Sequence, residues 1–524
     1  MERSKMNKLQ ANICLICVTM IWSTEVIILS CLPGEIMPFA VSSITNLIGA
    51  ALLFMCFFRK IKAEIVKEGK RLVIRSALLA LLYFTYNIMY IFGWKSFDVL
   101  TGDFTISMTV IFMPALMLLM RQKVGVKVLI SSALIAVGII IAFMSNEGEL
   151  DTMSLLVVIA ASILRGLFYI KLNEASKEYD SITLSALIIL FSGLISYIAW
   201  TTVQPTTFFA IPWSKQVIAG LFVHAYFVTV TAQTLNIFAQ RRTTASSATI
   251  IYALENVFAT MWCMILPASI VGDVTISAAR LAAVVFILLG NLTDLIRLPG
   301  RKKQKAAGTE YAPPEDDEED QNQVPEERLH PQINVMNAGS KQKLLIVLVL
   351  FMVYFIISIP FKALDIMPGF TDIRPVTILQ PIYGIFFGIP GCVVLSLGNV
   401  VSDIIGGSLR LSSIAGAAAN FIGPFLFFII WTKLSKTPFD LRSWRNIMKF
   451  VGAVAVIAAI EVLIITPAVA YFYPEVQYMK FAVIVFCNTT LFPVMIGIPL
   501  TILIQEEFGF MPIKLTEKYK RFTA

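Results

Sequence analysis

Charged residues are scarce in this chain: Asp, Glu, Lys and Arg make up only 15% of its 524 residues, while 57% are hydrophobic. A soluble globular domain is typically about 45–50% apolar and about 25% charged. The composition therefore excludes an ordinary soluble domain. The net charge is +8, but the basic residues sit in short loops beside apolar runs. This placement indicates a lipid bilayer as the partner and argues against nucleic acid.

Residues that build metal and catalytic centres are also few. Only two histidines are present, and His330 lies in a strongly charged stretch. The seven cysteines are odd in number and mostly lie inside apolar runs, so they predict no disulfide framework. Cys14 and Cys17 form a C-x-x-C without further ligands. We therefore expect neither an enzyme nor a bound cofactor or metal.

Long apolar runs are what the sequence has in abundance. Runs of about 17–25 residues, each able to cross a hydrocarbon core of about 30 Å, recur from Leu9 almost to the C-terminus. Continuous apolar runs favour helices over a barrel, because the strands of a barrel would alternate apolar and polar residues. We predict an all-α polytopic membrane protein. The predicted spans are 9–29, 36–58, 72–92, 104–120, 127–144, 154–172, 183–203, 215–238, 246–267 and 273–296, then 343–360, 376–389, 391–406, 411–432, 445–471 and 479–504.

A charged interval separates the two groups of spans. The stretch RKKQKAAGTEYAPPEDDEEDQNQVPEERLH has no apolar period and changes from basic to acidic, which predicts a solvated tether, with a regulatory acidic run as the alternative. The chain then divides into a ten-helix module at 1–296, a cytoplasmic linker at 297–342 and a six-helix module at 343–524. Lys and Arg favour loops of one parity, so both termini are expected in the cytoplasm of a cell membrane.

Ionisable residues inside apolar spans are costly and usually face a cavity or a partner. Four residues of the first module qualify: Glu25, Arg165, His224 and Glu255. Arg165 and Glu255 lie near the middle of their spans, where they either form a static ion pair or face a hydrated cavity. For Glu25 and His224, nearer the span ends, a structural role is the alternative. Weaker candidates, which also suit hydrogen bonds between helices, are Asn87, Lys95 and Asn236. Trp22 and Trp94 are typical of an interfacial belt.

Two stretches of the first module echo one another: LLALLYFTYNIMYIFGWKSFDVLTGDFTISMTVIFMPALMLLM at 78–120 and GLFVHAYFVTVTAQTLNIFAQRRTTASSATIIYALENVFATMWCMIL at 220–266. With five spans per half, the second copy begins on the opposite side, which defines an inverted repeat. With IWSTE in the first span, residues 1–296 resemble the EamA-type drug/metabolite transporter superfamily. The resemblance implies a ten-helix inverted-repeat transporter bundle that carries a small metabolite by alternating access.

The second module contains GFTDIRPVTILQPIYGIFFGIPG between its first two predicted spans. Pro375 and Pro381 break or bend a helix start, and the glycines allow close backbone approach. The pattern indicates a loop folded over a short helix. In the span that follows, Asn399 and Asp403 are four residues apart and share one helix face.

With six spans and a Pro/Gly-rich second and third span, residues 343–524 resemble the substrate-binding S component of energy-coupling-factor vitamin transporters. The resemblance implies a small-molecule solute held near the outer face. That family works with separate energising ATPase and transmembrane subunits, but its A-x-x-x-A motif is absent from the first span. The alternative is a local loop pair of Asp372 with Arg374, and Asp403 as a helix cap. The residues that the resemblance implicates are Asp372, Arg374, Asn399, Asp403 and Arg410, with Glu461 and Asn488 lying deeper.

These features predict a membrane transporter of a vitamin, a precursor, a nucleobase or an amino-acid-like solute, with a C-terminal solute-binding module. A nutrient-sensing receptor or scaffold is one alternative. An integral membrane enzyme acting on lipid-linked substrates is another, against which stands the lack of a nucleophile or metal constellation. No G-x-x-x-x-G-K-[ST] occurs, so no ATP site is encoded. Energy would come from an ion gradient, the solute's own gradient or separate ATPase subunits.

Overall fold

The structure is a computed structural model. It describes residues 6–25, 28, 32, 38–93, 104–122, 124–144, 151–203, 210–265, 276–295, 335, 339–362, 365–367, 371–435 and 439–513, with the backbone alone at 265, 294–295, 365–367 and 371–372. We call 6–295 the N-terminal region and 339–513 the C-terminal region. Nearly all of the predicted linker lies outside the described residues.

The N-terminal region is a bundle of apolar helices. Its helices are α1 (Lys8–Trp22), α2 (Pro38–Gly93), α3 (Thr109–Leu119), α4 (Val126–Met144), α5 (Thr152–Glu178), α6 (Ser181–Val203), α7 (Lys215–Gln240), α8 (Ala245–Tyr252), α9 (Leu254–Ile265) and α10 (Ala278–Leu295). Several start at side-chain caps, because a Ser, Thr or Asp oxygen accepts an otherwise unpaired N–H of the first turn; Asp151, for example, accepts from Ser154.

Helix α2 contains two of the predicted spans. They are predicted at 36–58 and 72–92 with a basic loop between them; the backbone leaves helical angles close to both of these boundaries, and the basic residues between them are helical. Non-helical backbone angles occur at Phe57 and at Gly69, whose φ is +62°. Glycine is the residue that accepts such an angle without strain, so the chain changes direction there while remaining largely helical.

The first part of α2 packs along α6 in antiparallel fashion. At one end the Ser42 and Ser196 hydroxyls lie 2.9 Å apart. At the other end the Lys60 ammonium lies 2.7 Å from the Asp180 carboxylate, just before α6 begins. We call these the serine end and the basic end of the bundle. The positive-inside rule predicts that the basic end is cytoplasmic.

The C-terminal region begins with α11 (Ser340–Phe361), followed by a two-stranded antiparallel hairpin of β1 (Asp365–Met367) and β2 (Thr371–Asp372). This hairpin, which periodicity does not predict, lies where the loop over a short helix is expected. The remaining helices are α12 (Pro375–Phe387), α13 (Ile389–Ile405), α14 (Ser413–Leu434), α15 (Trp444–Phe472) and α16 (Tyr478–Glu506).

Helix α12 is short because its backbone is irregular. It starts as a 3-10 turn at Pro375–Ile378, ends as a π-helical turn at Tyr383–Phe387, and stops at Gly388, whose φ is +59°. Proline suits a helix start, since its missing N–H would be unpaired there in any case. A positive φ suits glycine and breaks the helix, which lets α13 begin at once in a new direction.

Nine helices of the described residues are long and apolar enough to cross a membrane, and five shorter apolar helices accompany them. The protein is therefore a helical, polytopic membrane protein. Residues of both regions share one hydrophobic core, in which α1 packs against α16, and α7 packs against α11 and α16. The arrangement of ten plus six membrane spans stays a prediction.

Candidate functional site

A cavity of about 370 Å³ lies in the N-terminal region. Its wall comes from α1, α2, α5, α7 and α9, and it reaches the serine end, where Pro38 and Ser42 line it. All four ionisable residues predicted in this region lie on its wall: Glu25, Arg165, His224 and Glu255. They are arranged as two pairs of ionisable side chains.

Arg165 and Glu255 form the deeper pair. Both are buried, and the Arg165 Nη2 atom lies 3.6 Å from Glu255 Oε2. Arg165 Nε donates to the Tyr169 hydroxyl and Nη1 to the Ile106 carbonyl, each at 3.1 Å. The Glu255 contact is too long for a hydrogen bond, and Oε2 has no hydrogen-bond partner among the described residues. A buried carboxylate oxygen beside a cavity is therefore available to a hydrogen-bond donor of a solute.

His224 and Glu25 form the second pair, with Nε2 to Oε1 at 3.1 Å. His224 is buried, whereas the Glu25 side chain is 41% exposed. His224 is the first residue of a π-helical turn, His224–Ala232, within α7. Such turns widen a helix and often occur at functional sites. Val228 and Thr229 of the same turn also line the cavity.

Aromatic side chains complete the wall, and sequence analysis does not identify them. Tyr83, Tyr86 and Tyr90 recur at helical spacing on one face of α2, and Tyr169 follows Arg165 by one turn. Trp22 also lines the cavity, and its assignment to an interfacial belt stays a prediction. The spacing of the tyrosines was the available signal, but tyrosines at helical spacing in an apolar span also suit ordinary packing.

The weaker candidates of this region take different positions. Asn87 lines the cavity and donates to the Tyr83 carbonyl at 2.9 Å. Asn236 is fully buried outside it, where its oxygen accepts from the Tyr252 hydroxyl and from Gln240. The bond with Tyr252 joins α7 to α8, so Asn236 makes the kind of interhelical hydrogen bond offered as its alternative role. Lys95 and Trp94 lie outside the described residues.

A second cavity, of about 220 Å³, lies in the C-terminal region. Polar side chains line most of its mouth. Six of the residues implicated there by sequence lie on its wall: Arg374, Asn399, Asp403, Arg410, Glu461 and Asn488. Asp372 belongs to β2, paired with Asp365, but its side chain lies outside the described residues.

The mouth is organised around helix α13. Asn399 and Asp403 share one face, as their spacing predicts, and their side chains approach to 3.5 Å. Arg374 donates to the Asn399 oxygen at 2.5 Å. Lys362, at the end of α11, reaches the Asp403 carboxylate at 2.6 Å. Asp403 is therefore held by a cation from another helix and is not limited to capping its own helix.

The floor of the cavity holds a buried carboxyl group. Glu461, in the middle of α15, is 1% exposed and accepts a hydrogen bond from Gln380 at 2.8 Å. Gly423 on α14 makes room for it, because a β-carbon there would lie 2.0 Å from Glu461 Oε1. A buried carboxyl held by an amide can accept hydrogen bonds from a solute.

Lys362 and Gln380 are functional candidates that sequence analysis does not name. Lys362 follows an apolar run, where a lysine ordinarily marks a membrane boundary. Gln380 lies inside the Pro/Gly-rich stretch, where its neighbours suggest only backbone geometry. Their roles depend on which way α11 and α12 face, and that is decided by packing between distant segments.

Comparison with known proteins adds little. No protein-family profile and no curated protein matches the chain. Among solved structures, one chain titled "Crystal structure of protein" is 14% identical, covers 56% of this chain and 97% of its own length, and has a TM-score of 0.44. This similarity supports no conclusion about function.

Proposed function

We propose that the protein is a transporter of a small metabolite that works by alternating access, with a C-terminal region that binds the solute. The observation that carries the proposal is the N-terminal cavity of about 370 Å³, walled by two pairs of ionisable side chains inside apolar helices. Charges are retained in membrane spans mainly where they serve a solute, an ion or each other. Its size and mixed apolar and polar wall suit a small organic molecule.

The second cavity supports the same reading. It lies among loops and helix ends and is lined by side chains that donate and accept hydrogen bonds, with Glu461 at its floor and Arg374 at its mouth. Both cavities lie away from the basic end. We propose that the C-terminal cavity captures the solute on the side from which the N-terminal cavity also receives it. The resemblances to drug/metabolite transporters and to S components favour this order of events.

The test is a binding screen followed by a transport assay on the full chain. Purified protein in detergent is melted with vitamins, their precursors, nucleobases and amino acids, and any stabilising compound is then tested for uptake into proteoliposomes. We expect one chemical class both to raise the melting temperature and to accumulate. Stabilisation without any movement across the bilayer would contradict transport and favour a nutrient receptor.

A further inference from the structure

A charged cluster joins the two regions at the basic end. Glu507, just after α16, is 5% exposed. Its carboxylate lies 2.9 Å from Lys60 Nζ and 3.2 Å from Arg241 Nη1. Lys60 also contacts Asp180 at 2.7 Å. A single carboxylate of the C-terminal region therefore ties α2 to the turn that follows α7.

Arg241 connects this cluster to the α5–α6 turn. Its Nε donates to the Ser176 carbonyl at 3.0 Å and its Nη2 to the Tyr179 carbonyl at 2.7 Å. One turn earlier on α5, the Asn173 amide donates to the carbonyls of Gln240 and Thr243. The ends of α5 and α7 and the start of α6 are thus drawn together around Arg241.

Apolar packing covers the same cluster. The Phe508 ring stacks on Phe57 of α2 with centroids 5.5 Å apart, and Lys60 Nζ lies 5.8 Å from the Phe508 centroid. Rings at this distance stabilise an interface beyond their buried area. Low exposure also strengthens the ion pairs, since water screens them less. Removing the Glu507 charge would leave two partly buried cations facing one carboxylate, which destabilises the cluster because water reaches these cations only in part.

The cluster lies at the end opposite to the N-terminal cavity. That cavity reaches the serine end, where Pro38, Val41 and Ser42 line it, and its described lining includes none of the cluster residues. Between the two ends, Gln240 donates to the Tyr252 hydroxyl at 2.8 Å beneath the cavity. This cluster therefore holds the described helices together at the end away from the cavity.

A second contact places the C-terminal region against the cavity wall itself. The Phe227 ring, in the π-helical turn of α7, packs edge-on against Phe361 of α11 at 5.4 Å. Residues His224, Val228 and Thr229 of that turn line the N-terminal cavity. Helix α7 thus contacts the C-terminal region near its cavity-lining part and, through Arg241, at its basic end.

We propose that the C-terminal region is a built-in partner that clamps the basic end of the N-terminal region shut, with Glu507 as the clamping residue. Opening of that end then requires α16 to move, so the movements of the two regions are coupled. That this closure is one half of a transport cycle rests on the proposed function. The clamp itself does not, because it is a property of the interface.

Hydrogen–deuterium exchange of the full chain in lipid nanodiscs tests the clamp. In Glu507→Gln we expect faster exchange, by roughly tenfold or more, in peptides covering 173–184 and 236–248, because the buried Glu507 carboxylate is shared by two partly buried cations and its loss removes both ion pairs. Glu506→Gln is the matched control, since Glu506 pairs with Arg442 of its own region at 2.8 Å. Its exchange in those peptides should equal that of the wild type.

A second variant guards against misfolding of Glu507→Gln. Phe508→Leu removes the stacking on Phe57 without leaving a charge unpaired, and it should raise exchange in the same peptides to a smaller extent. Unchanged exchange in both folded variants, or an equal rise in Glu506→Gln, would overturn the clamp. The measurement uses no solute, so faster exchange in a chain that moves no compound would retain the clamp and reject transport.

Discussion

The Glu255 carboxylate lies 3.6 Å from the Arg165 guanidinium, a distance at which charge attracts but no hydrogen bond forms. Arg165 instead donates hydrogen bonds to the Tyr169 hydroxyl and the Ile106 carbonyl. The pair is therefore oriented by neighbours on one side and open to the cavity on the other. An experiment can therefore distinguish two roles of this pair: a static ion pair that only stabilises the fold, and a site that binds the solute.

Glu255→Gln should destabilise the protein and abolish solute movement. Removing one partner of a buried ion pair typically costs about 3–5 kcal/mol, because the other charge stays buried. The double variant with Arg165→Met removes both charges. Its melting temperature should return most of the way to that of the wild type, while transport stays lost. If the double variant also regained transport, the pair would be a static structural feature. Glu174→Gln, at a partly exposed pair, is the control and should change stability by about 0.5 kcal/mol or less.

Arg374→Ala should remove stabilisation of the full chain by its solute. Arg374 lines the C-terminal cavity and donates to Asn399 at 2.5 Å. Loss of a hydrogen bond between the charged Arg374 guanidinium and the solute would cost about 1.5–3 kcal/mol of binding free energy, so the affinity should fall by at least tenfold. Arg442→Ala, which breaks an ion pair of the same region outside the cavity wall, should leave the solute-induced shift intact. An unchanged shift in Arg374→Ala would favour the local loop pair.

The candidate site illustrates what charge in an apolar sequence reveals. Arg165 and Glu255 stand out because an ionisable group in a membrane span needs a reason, and two such groups at matching depth suggest one another. Tyr83, Tyr86 and Tyr90 do not stand out, since tyrosine is inexpensive in a helix that faces other helices. Lys362 is concealed for a further reason: a lysine at the end of an apolar run is what any span would carry.

The fold, like the candidate site, has features that the sequence predicts and features that it does not. The predicted span 127–144 coincides with α4 (Val126–Met144), because a continuous apolar run between breakers fixes a helix locally. The helical conformation of the basic segment around Lys60, between the breaks at Phe57 and Gly69, is not predictable from periodicity, since a basic segment between two spans suits a loop as well as a helix. Glu507, the ion-pair partner of Lys60, lies 447 residues away in sequence. Contacts of that kind depend on how the two regions pack together.

Gly423→Ala should disturb the floor of the C-terminal cavity. The new methyl group would lie 2.0 Å from Glu461 Oε1, so the carboxyl group or α14 must move. We expect overpacking to cost about 1–3 kcal/mol and solute binding to fall with it. Gly452→Ala, on α15 where nothing lies within 4 Å of the added carbon, is the matched control. It should be neutral or stabilise by up to about 1 kcal/mol, and a similar loss in both variants would contradict the packing argument.

Asp180→Asn should destabilise the basic end in a pH-dependent manner. Burial raises the pKa of Asp180, but the charge of Lys60, hydrogen bonds with Glu507 and Lys60, and the charge of Arg241 outweigh it, so the pKa lies well below its usual range. A carboxyl whose folded pKa is lowered contributes stability that is present above the unfolded value of about 3.9 and is lost as the pH falls below it. Asparagine can still cap α6 by accepting from the Thr183 N–H, so the substitution removes the charge and keeps the cap.

Melting curves between about pH 7 and pH 3 measure this effect on the wild type and the variant. The difference should be about 1.5–3 kcal/mol and constant down to about pH 5, and it should shrink below about pH 4 as the wild type loses its advantage. Asp151→Asn is the control, because Asp151 also caps a helix but is exposed and makes no ion pair among the described residues. A difference that grew on acidification would mean that Asp180 is held protonated, and the ion cluster around Glu507 would then need a different charge balance.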